Sequence, residues 1–183
     1  MNAPETWRFS IDVAKSWEKT FFESATPQTR KIALRCAIVM SPHRAGTFGI
    51  LLGLVRRGLG GTVGSGKQFV SWVHDKDLAR AVAFLIGRED IDGVVNISSP
   101  NPLPNREFMR VLREAWGARV GLPATEWMLE IATFFMGTES ELVLKSRRVV
   151  PTRLLDAGFT FEFPQWPEAA ADLVRRYNAR QML

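Results

Sequence analysis

A single cysteine, two histidines and one tyrosine in 183 residues narrow the chemistry open to this chain. One thiol, Cys36, excludes an internal disulfide framework and a cysteine-based zinc site. Two imidazoles, His43 and His74, exclude a multi-histidine metal centre, so no metal is expected. No apolar run reaches the roughly 20 residues of a membrane-spanning helix, and the stretch Phe48 to Val55 is stopped by Arg56–Arg57. The opening MNAPETWRF lacks the basic start and apolar core of a signal peptide. A cytoplasmic, reducing setting with no membrane partner is the expectation.

What is present is an ordinary globular mixture, 46% hydrophobic and 23% charged. The length fits one domain. The formal charge of +5 comes mainly from arginines, scattered along the chain with short pairs at Arg56–Arg57, Arg147–Arg148 and Arg175–Arg176. A nucleic-acid binder gathers its basic residues on one face or in one run, so no nucleic-acid partner is expected.

The hydrophobic pattern predicts a helix over Glu5–Glu23, with Val13, Ala14, Trp17 and Phe21 on one face. Lys31 to Met40 is apolar on both alternating faces except at Arg35, which predicts an interior strand of a parallel sheet. Gly46 to Arg57 reads as a short helix and Gly58 to Gly66 as irregular. Phe69 to His74 alternates, and Leu78, Ala81, Val82, Leu85 and Ile86 mark a helix with Asp75 as its cap. Gly93 to Ser98 is a second buried strand. Asn105 can cap a helix that buries Phe108, Val111, Leu112, Ala115 and Trp116. Further helices are expected over Pro123–Met136 and Pro167–Tyr177. Two buried strands and a minor one do not close a parallel sheet alone, so the order of elements reads as the back half of an α/β fold.

The string Gly61 to Gln68 fits G-x-x-x-x-G-K, but Gln68 stands where a magnesium-binding Ser or Thr belongs. It also follows a helix and leads into an extended segment, the reverse of a phosphate-cradling loop. No G-x-G-x-x-G turn follows a first strand, so the pyrophosphate half of a dinucleotide site is missing from this sequence. Cys36, inside the expected buried strand, reads as a small inert hydrophobe. Arg35 beside it needs an anionic partner, either on the first helix or in a bound anion. His74, three residues before Asp77, offers an acid–base pair or, more ordinarily, a brace between a strand end and the next helix.

The stretches LRCAIVMSP, GLGGTVGSGKQFVSWVHDKDLARAVAFLI and VVNISSPNPLPNREFMRVL, with the tail RRVVPTRLLDAGFTFEFP, carry a resemblance over nearly the whole chain. They resemble the C-terminal portion of the atypical extended short-chain dehydrogenase/reductases, in the NAD-dependent, nucleoside-diphosphate-sugar epimerase-like branch with a C-terminal domain of unknown function. The resemblance implies an α/β fold: the C-terminal part of a Rossmann-like sheet, few parallel strands, and a helical substrate-side subdomain. It divides the chain into residues 1–100, the back half of the sheet with its crossover, and 101–183, the helical tail. It implies NADP or NAD as cofactor, with Arg35, Met40, Ser41 and His43 near the nicotinamide, and a small-molecule substrate lined by Gln68, Ser71, Trp72 and His74. An alternative role for Gln68, Trp72 and Asp77 is to brace the joint between crossover and helix.

The departures from the family pattern matter as much. In the register of the family's Tyr-x-x-x-Lys stand Phe9 and Val13, and Tyr177 is followed four residues on by Gln181, so no catalytic residue is assigned. Val70 occupies the place where relatives commonly carry an arginine for the substrate diphosphate; Arg106 or Arg110 are candidates for that role, without a sequence signal to support either. The expectation is a truncated or split NAD(P)-dependent epimerase/oxidoreductase-like chain that neither binds cofactor nor turns over substrate alone. The alternative is a non-enzymatic binding or scaffold module that forms a homodimer, or docks a separate N-terminal partner chain, through the face left by the missing half-sheet.

Overall fold

The computed structural model describes residues 5–122 and 146–181. The expected helix at Pro123–Met136 lies outside them. The first helix, α1, runs Glu5–Glu23, and the 31–40 segment forms two strands, β1 (Ile32–Cys36) and β2 (Ile38–Met40). Helix α2 (Thr47–Arg56) and the glycine-rich loop lead to β3 (Phe69–Val70) and β4 (Trp72–His74). Then come α3 (Asp75–Ile86), β5 (Gly93–Ile97), β6 (Leu103–Pro104), α4 (Asn105–Trp116), α5 (Thr152–Asp156) and α6 (Trp166–Ala179). No helix among the described residues is long and apolar enough to cross a membrane.

The fold is α/β, with parallel pairing as the pattern required. β1 runs parallel to β5, Ile32 opposite Gly93 and Cys36 opposite Ile97. At Ala37 the segment changes partner: Ala37 N–H donates to Ile97 O, and Ile38 N–H donates to Ser71 O. β2 then continues parallel to β4, Met40 opposite His74. The break at Ala37 is why one predicted strand appears as two. β3 pairs antiparallel with β6.

Two apolar cores flank β4, because successive strand residues point to opposite faces. Trp72 packs with Met40, Phe48, Phe108, Trp166 and Leu173 on the side of α2, α4 and α6. Val73 packs with Ala81, Leu85, Val95, Ile97 and Leu154 on the side of α3, β5 and α5. Trp166 anchors the first core: its ring stacks on Phe108 at 4.0 Å, meets Trp72 edge-on at 4.9 Å, and its indole N–H donates to Phe108 O at 2.9 Å.

Several expectations need correction. β1 is not buried on both faces: Leu34, Arg35 and Cys36 are exposed, since among the described residues β1 pairs only with β5. Cys36 is therefore a surface thiol, not a core hydrophobe. Trp17 and Phe21, on the apolar stripe of α1, are 73% and 42% exposed; Phe21 meets only the edge of Phe22 and the Lys31 ammonium among the described residues. Asp75 is the first residue of α3, and the cap is His74, whose Nδ1 accepts from Lys76 N–H at 3.2 Å. Asn105 likewise starts α4; its Oδ1 accepts instead from Val63 N–H at 2.9 Å, tying the helix to the glycine-rich loop.

That loop depends on Gly66. Its φ of +65° is one that L side chains rarely adopt, and an added Cβ would sit 2.2 Å from Thr62 Cγ2. Gly66→Ala is expected to lower stability by about 1–3 kcal/mol, read as a shift in urea midpoint with unchanged slope.

Candidate functional site

A cleft of about 530 Å³ opens where β1 ends and β2 begins. In open α/β sheets ligands sit beyond the carboxyl ends of the strands, and this cleft lies there, with Cys36 from the end of β1 and Asn96 from near the end of β5 in its wall. Its volume is in the range of small-molecule sites. The lining is mostly apolar, with Ile38, Leu51, Phe69, Phe108 and Met109 contributing from four elements and the joint between them. Polar groups are few: Arg35 and Arg147, Ser71, Asn96, Asn105 and Thr47.

The residues singled out in the sequence divide between this cleft and the scaffold behind it. Arg35, Met40 and Ser71 line it. Ser41 and His43 follow β2 but do not contribute to the cleft wall; His43 is exposed, and its Nδ1 accepts from Ala45 N–H at 3.3 Å. Gln68, Trp72 and His74 are buried behind it. Gln68 Nε2 donates to Val63 O at 2.8 Å, holding the glycine-rich loop. Trp72 fills the first core. Ser71, though in the wall, has its hydroxyl engaged: it donates to Arg147 O at 2.6 Å and accepts from Val149 N–H at 2.9 Å.

Arg35 finds its partner on the first helix. Its Nε and Nη2 donate to the two Glu18 oxygens at 2.7 and 2.6 Å, which lowers the Glu18 carboxyl and raises the guanidinium, hydrogen bonding being the main cause. Desolvation at the cleft pushes the Cys36 thiol up, so it is protonated at neutral pH and is not an activated nucleophile.

His74 does not pair with Asp77. It is fully buried, stacked on Phe163 at 4.0 Å, and its Nε2 lies 3.1 Å from Asp172 Oδ2, 98 residues away. Because Nδ1 accepts from Lys76 N–H, the neutral ring carries its proton on Nε2 and donates to Asp172. Burial lowers the His74 pKa, outweighing the carboxylates of Asp75 and Asp172 that favour protonation. Asp77 serves a separate joint: Oδ1 and Oδ2 accept from Glu162 and Phe163 N–H at 2.7 and 2.8 Å. Asp77 and Gln68 are thus braces, and the pairing of His74 with Asp172 was invisible to any local reading.

The glycine-rich loop is not a phosphate cradle. Gly61 N–H donates to Leu122 O and Gly66 N–H to Val63 O, while the loop runs into β3 and not into a helix. A dinucleotide pyrophosphate therefore finds no free array of backbone donors there.

Residues 124–173 match a family model described as a domain of unknown function (DUF1731). The chain is 31% identical over 146 residues to the human epimerase family protein SDR39U1, covering 80% of this chain and 49% of that protein. It is 28% identical over 169 residues to an epimerase family protein of Staphylococcus aureus, covering 92% of this chain and 55% of that one. A crystal structure of human SDR39U1 (isoform 2) with NADPH superposes with a TM-score of 0.80 at 27% identity, over 90% of this chain and 54% of the human one. A nucleoside-diphosphate sugar epimerase from Corynebacterium glutamicum shares the fold with a TM-score of 0.66 at 24% identity, covering 87% of this chain and 29% of that one. The chain spans about half the length of the curated relatives it matches.

Proposed function

We propose, from the premise that this chain carries the C-terminal portion of an epimerase-like extended short-chain dehydrogenase/reductase, that it is the substrate-side part of an NAD(P)-dependent oxidoreductase or epimerase and turns over no substrate alone. The observation that carries this reading is the cleft at the strand ends, apolar within and edged by a few polar groups. In this reading the nicotinamide end of the cofactor approaches Arg35 and Met40 in the cleft, with Ser41 and His43 on the loop after β2, outside the cleft wall, and a small substrate lies along Ser71, with Gln68, Trp72 and His74 fixing that wall from behind. The cofactor supplies or receives a hydride when bound; this chain shapes the cleft and excludes water from it. Phe9 and Val13 carry no group able to move a proton, so this reading assigns no acid–base pair to the chain. A cytoplasmic setting is part of the same reading.

Titrating the purified chain with NADPH and following nicotinamide fluorescence tests it. No saturable binding is expected in the micromolar range, because nothing described holds the pyrophosphate. Micromolar binding by this chain alone would overturn the account of the missing half.

A second reading has its own observation. The apolar stripe of α1 and the unpaired edge of β1, where Leu34 is 40% exposed, form a face without a described partner. A binding or scaffold module would use it to dimerise or to hold a separate N-terminal chain. Sedimentation of the purified chain tests the dimer form of this reading: a stable dimer favours the module, and a monomer removes self-association as its role.

A further inference from the structure

We propose that Asn105 selects the ligand of the cleft: its side-chain NH2 donates to an uncharged acceptor oxygen, of the carbonyl kind, carried on an apolar body. This rests on the reading of the cleft as the substrate site and names the group that the site selects.

Asn105 is the first residue of α4 and is 5% exposed. It is fixed at two atoms: its backbone N–H donates to Gln68 O at 2.8 Å, and its Oδ1 accepts from Val63 N–H at 2.9 Å. The second bond sets which way round the amide stands, because only its oxygen can accept. The NH2 is left over and bonds no described group. Among the described residues, Trp72 Nε1 is the one fully buried side-chain nitrogen or oxygen without a partner. The Asn105 NH2 is thus not sealed in the core; it opens where the residue forms wall, into the cleft.

The helix supports the same placement. Phe108 and Met109, three and four residues on, share a face with Asn105 and also line the cleft. With Val63 they make its surroundings apolar. A donor in such a place is costly to leave unmet, so ligands are sorted by whether they offer an acceptor there. No side chain caps α4, and the positive end of the helix favours the same electron-rich oxygen. Asn105 itself carries no charge, so the preference is for a lone pair and not for an ion.

The probes are acetophenone, benzyl alcohol and ethylbenzene, all uncharged. They are titrated without cofactor into the full isotope-labelled chain, and proton–nitrogen correlation spectra are followed. Acetophenone is expected to shift the Asn105 NH2 signal, assigned through the backbone amide of the same residue. Ethylbenzene is expected to shift the backbone signals of Phe108 and Met109 but not that one. Asn105→Asp keeps an oxygen for Val63 N–H and replaces the donor by a second acceptor. It is expected to keep the wild-type melting temperature and to bind acetophenone at least about tenfold more weakly, a difference of about 1.4 kcal/mol. Benzyl alcohol, whose hydroxyl can turn its proton to the carboxylate, should keep its affinity. The arginines of the cleft are the same in both proteins and cannot produce the difference. The NH2 signal is read in the wild-type chain, so it stays decisive even where the variant fails to fold. An NH2 signal that acetophenone leaves in place, or that ethylbenzene moves as far, would overturn the proposal. So would an acetophenone affinity unchanged in folded Asn105→Asp, or no binding of acetophenone at millimolar concentration. None of these results depends on NADPH, so a failure here stays distinct from a failure of the reading it rests on.

Discussion

Asp77→Ala is expected to destabilise the chain by about 3 kcal/mol. The side chain is 1% exposed and receives two backbone N–H groups of another segment, from Glu162 and Phe163. Removing the carboxylate strands both part-buried donors; a fully buried unpaired group costs about 1–3 kcal/mol, and water offsets part of that here. The ion pair to Arg80 contributes little to this figure, since the guanidinium is 42% exposed and water screens it. Asp77→Asn should recover part of the loss, because its oxygen can accept one N–H while its NH2 faces the other. Urea denaturation reads both. A loss below about 1 kcal/mol for the alanine variant would mean that the 162–163 segment does not lean on Asp77.

The second large effect is acid sensitivity centred on His74. The folded imidazole is lowered by burial, with Asp75 and Asp172 opposing and Arg176 assisting. The unfolded imidazole takes its proton near pH ~6.5, so below that the unfolded state binds more protons and stability falls as pH falls. Asp172 continues the trend. Burial would raise it, but Arg176, Lys76, Arg175 and His74 together hold it below the usual carboxylate range, and Arg176 does the same for Asp75. Stability from these carboxylates is present above the unfolded pKa and is lost as pH drops through the folded one. The melting temperature should therefore decline from pH 7 to 5 through His74 and further below pH 4 through the aspartates. Asp172→Ala should cost about 3 kcal/mol at pH 7, leaving the His74 N–H without an acceptor, and should flatten the acid limb. A melting temperature independent of pH between 7 and 4 would refute this.

Much of the fold was legible because its signals are local. The apolar repeat of Leu78, Ala81, Val82 and Leu85 located α3, and the alternation from Phe69 to His74 correctly sent Trp72 and Val73 to opposite faces. Helix α1 begins and ends where its pattern does. What failed is whatever a neighbour decides. The apolar run of Lys31 to Met40 records that the strand is built to be covered, not whether a covering strand is present, so Cys36 and Leu34 were placed inside and are outside. The candidate site was less legible still. Asp77 was the nearest carboxylate for His74 in sequence, but the partner lies on α6. Arg147 sat in a basic stretch with no periodicity, and only the lacing of its backbone to Phe69 and Ser71 brings it to the cleft.

The edge of β1 away from β5, unpaired among the described residues, has a consequence for how the chain keeps company. Natural sheet edges discourage unwanted strands with prolines, bulges or inward charges. Ile32–Cys36 has no proline, and its single charge, Arg35, is folded back onto Glu18. Nothing in it discriminates among strands that offer a complementary row of donors and acceptors. The same open row that would seat a rightful neighbour also templates a wrong one, so the solubility of this chain is tied to whether that edge is occupied.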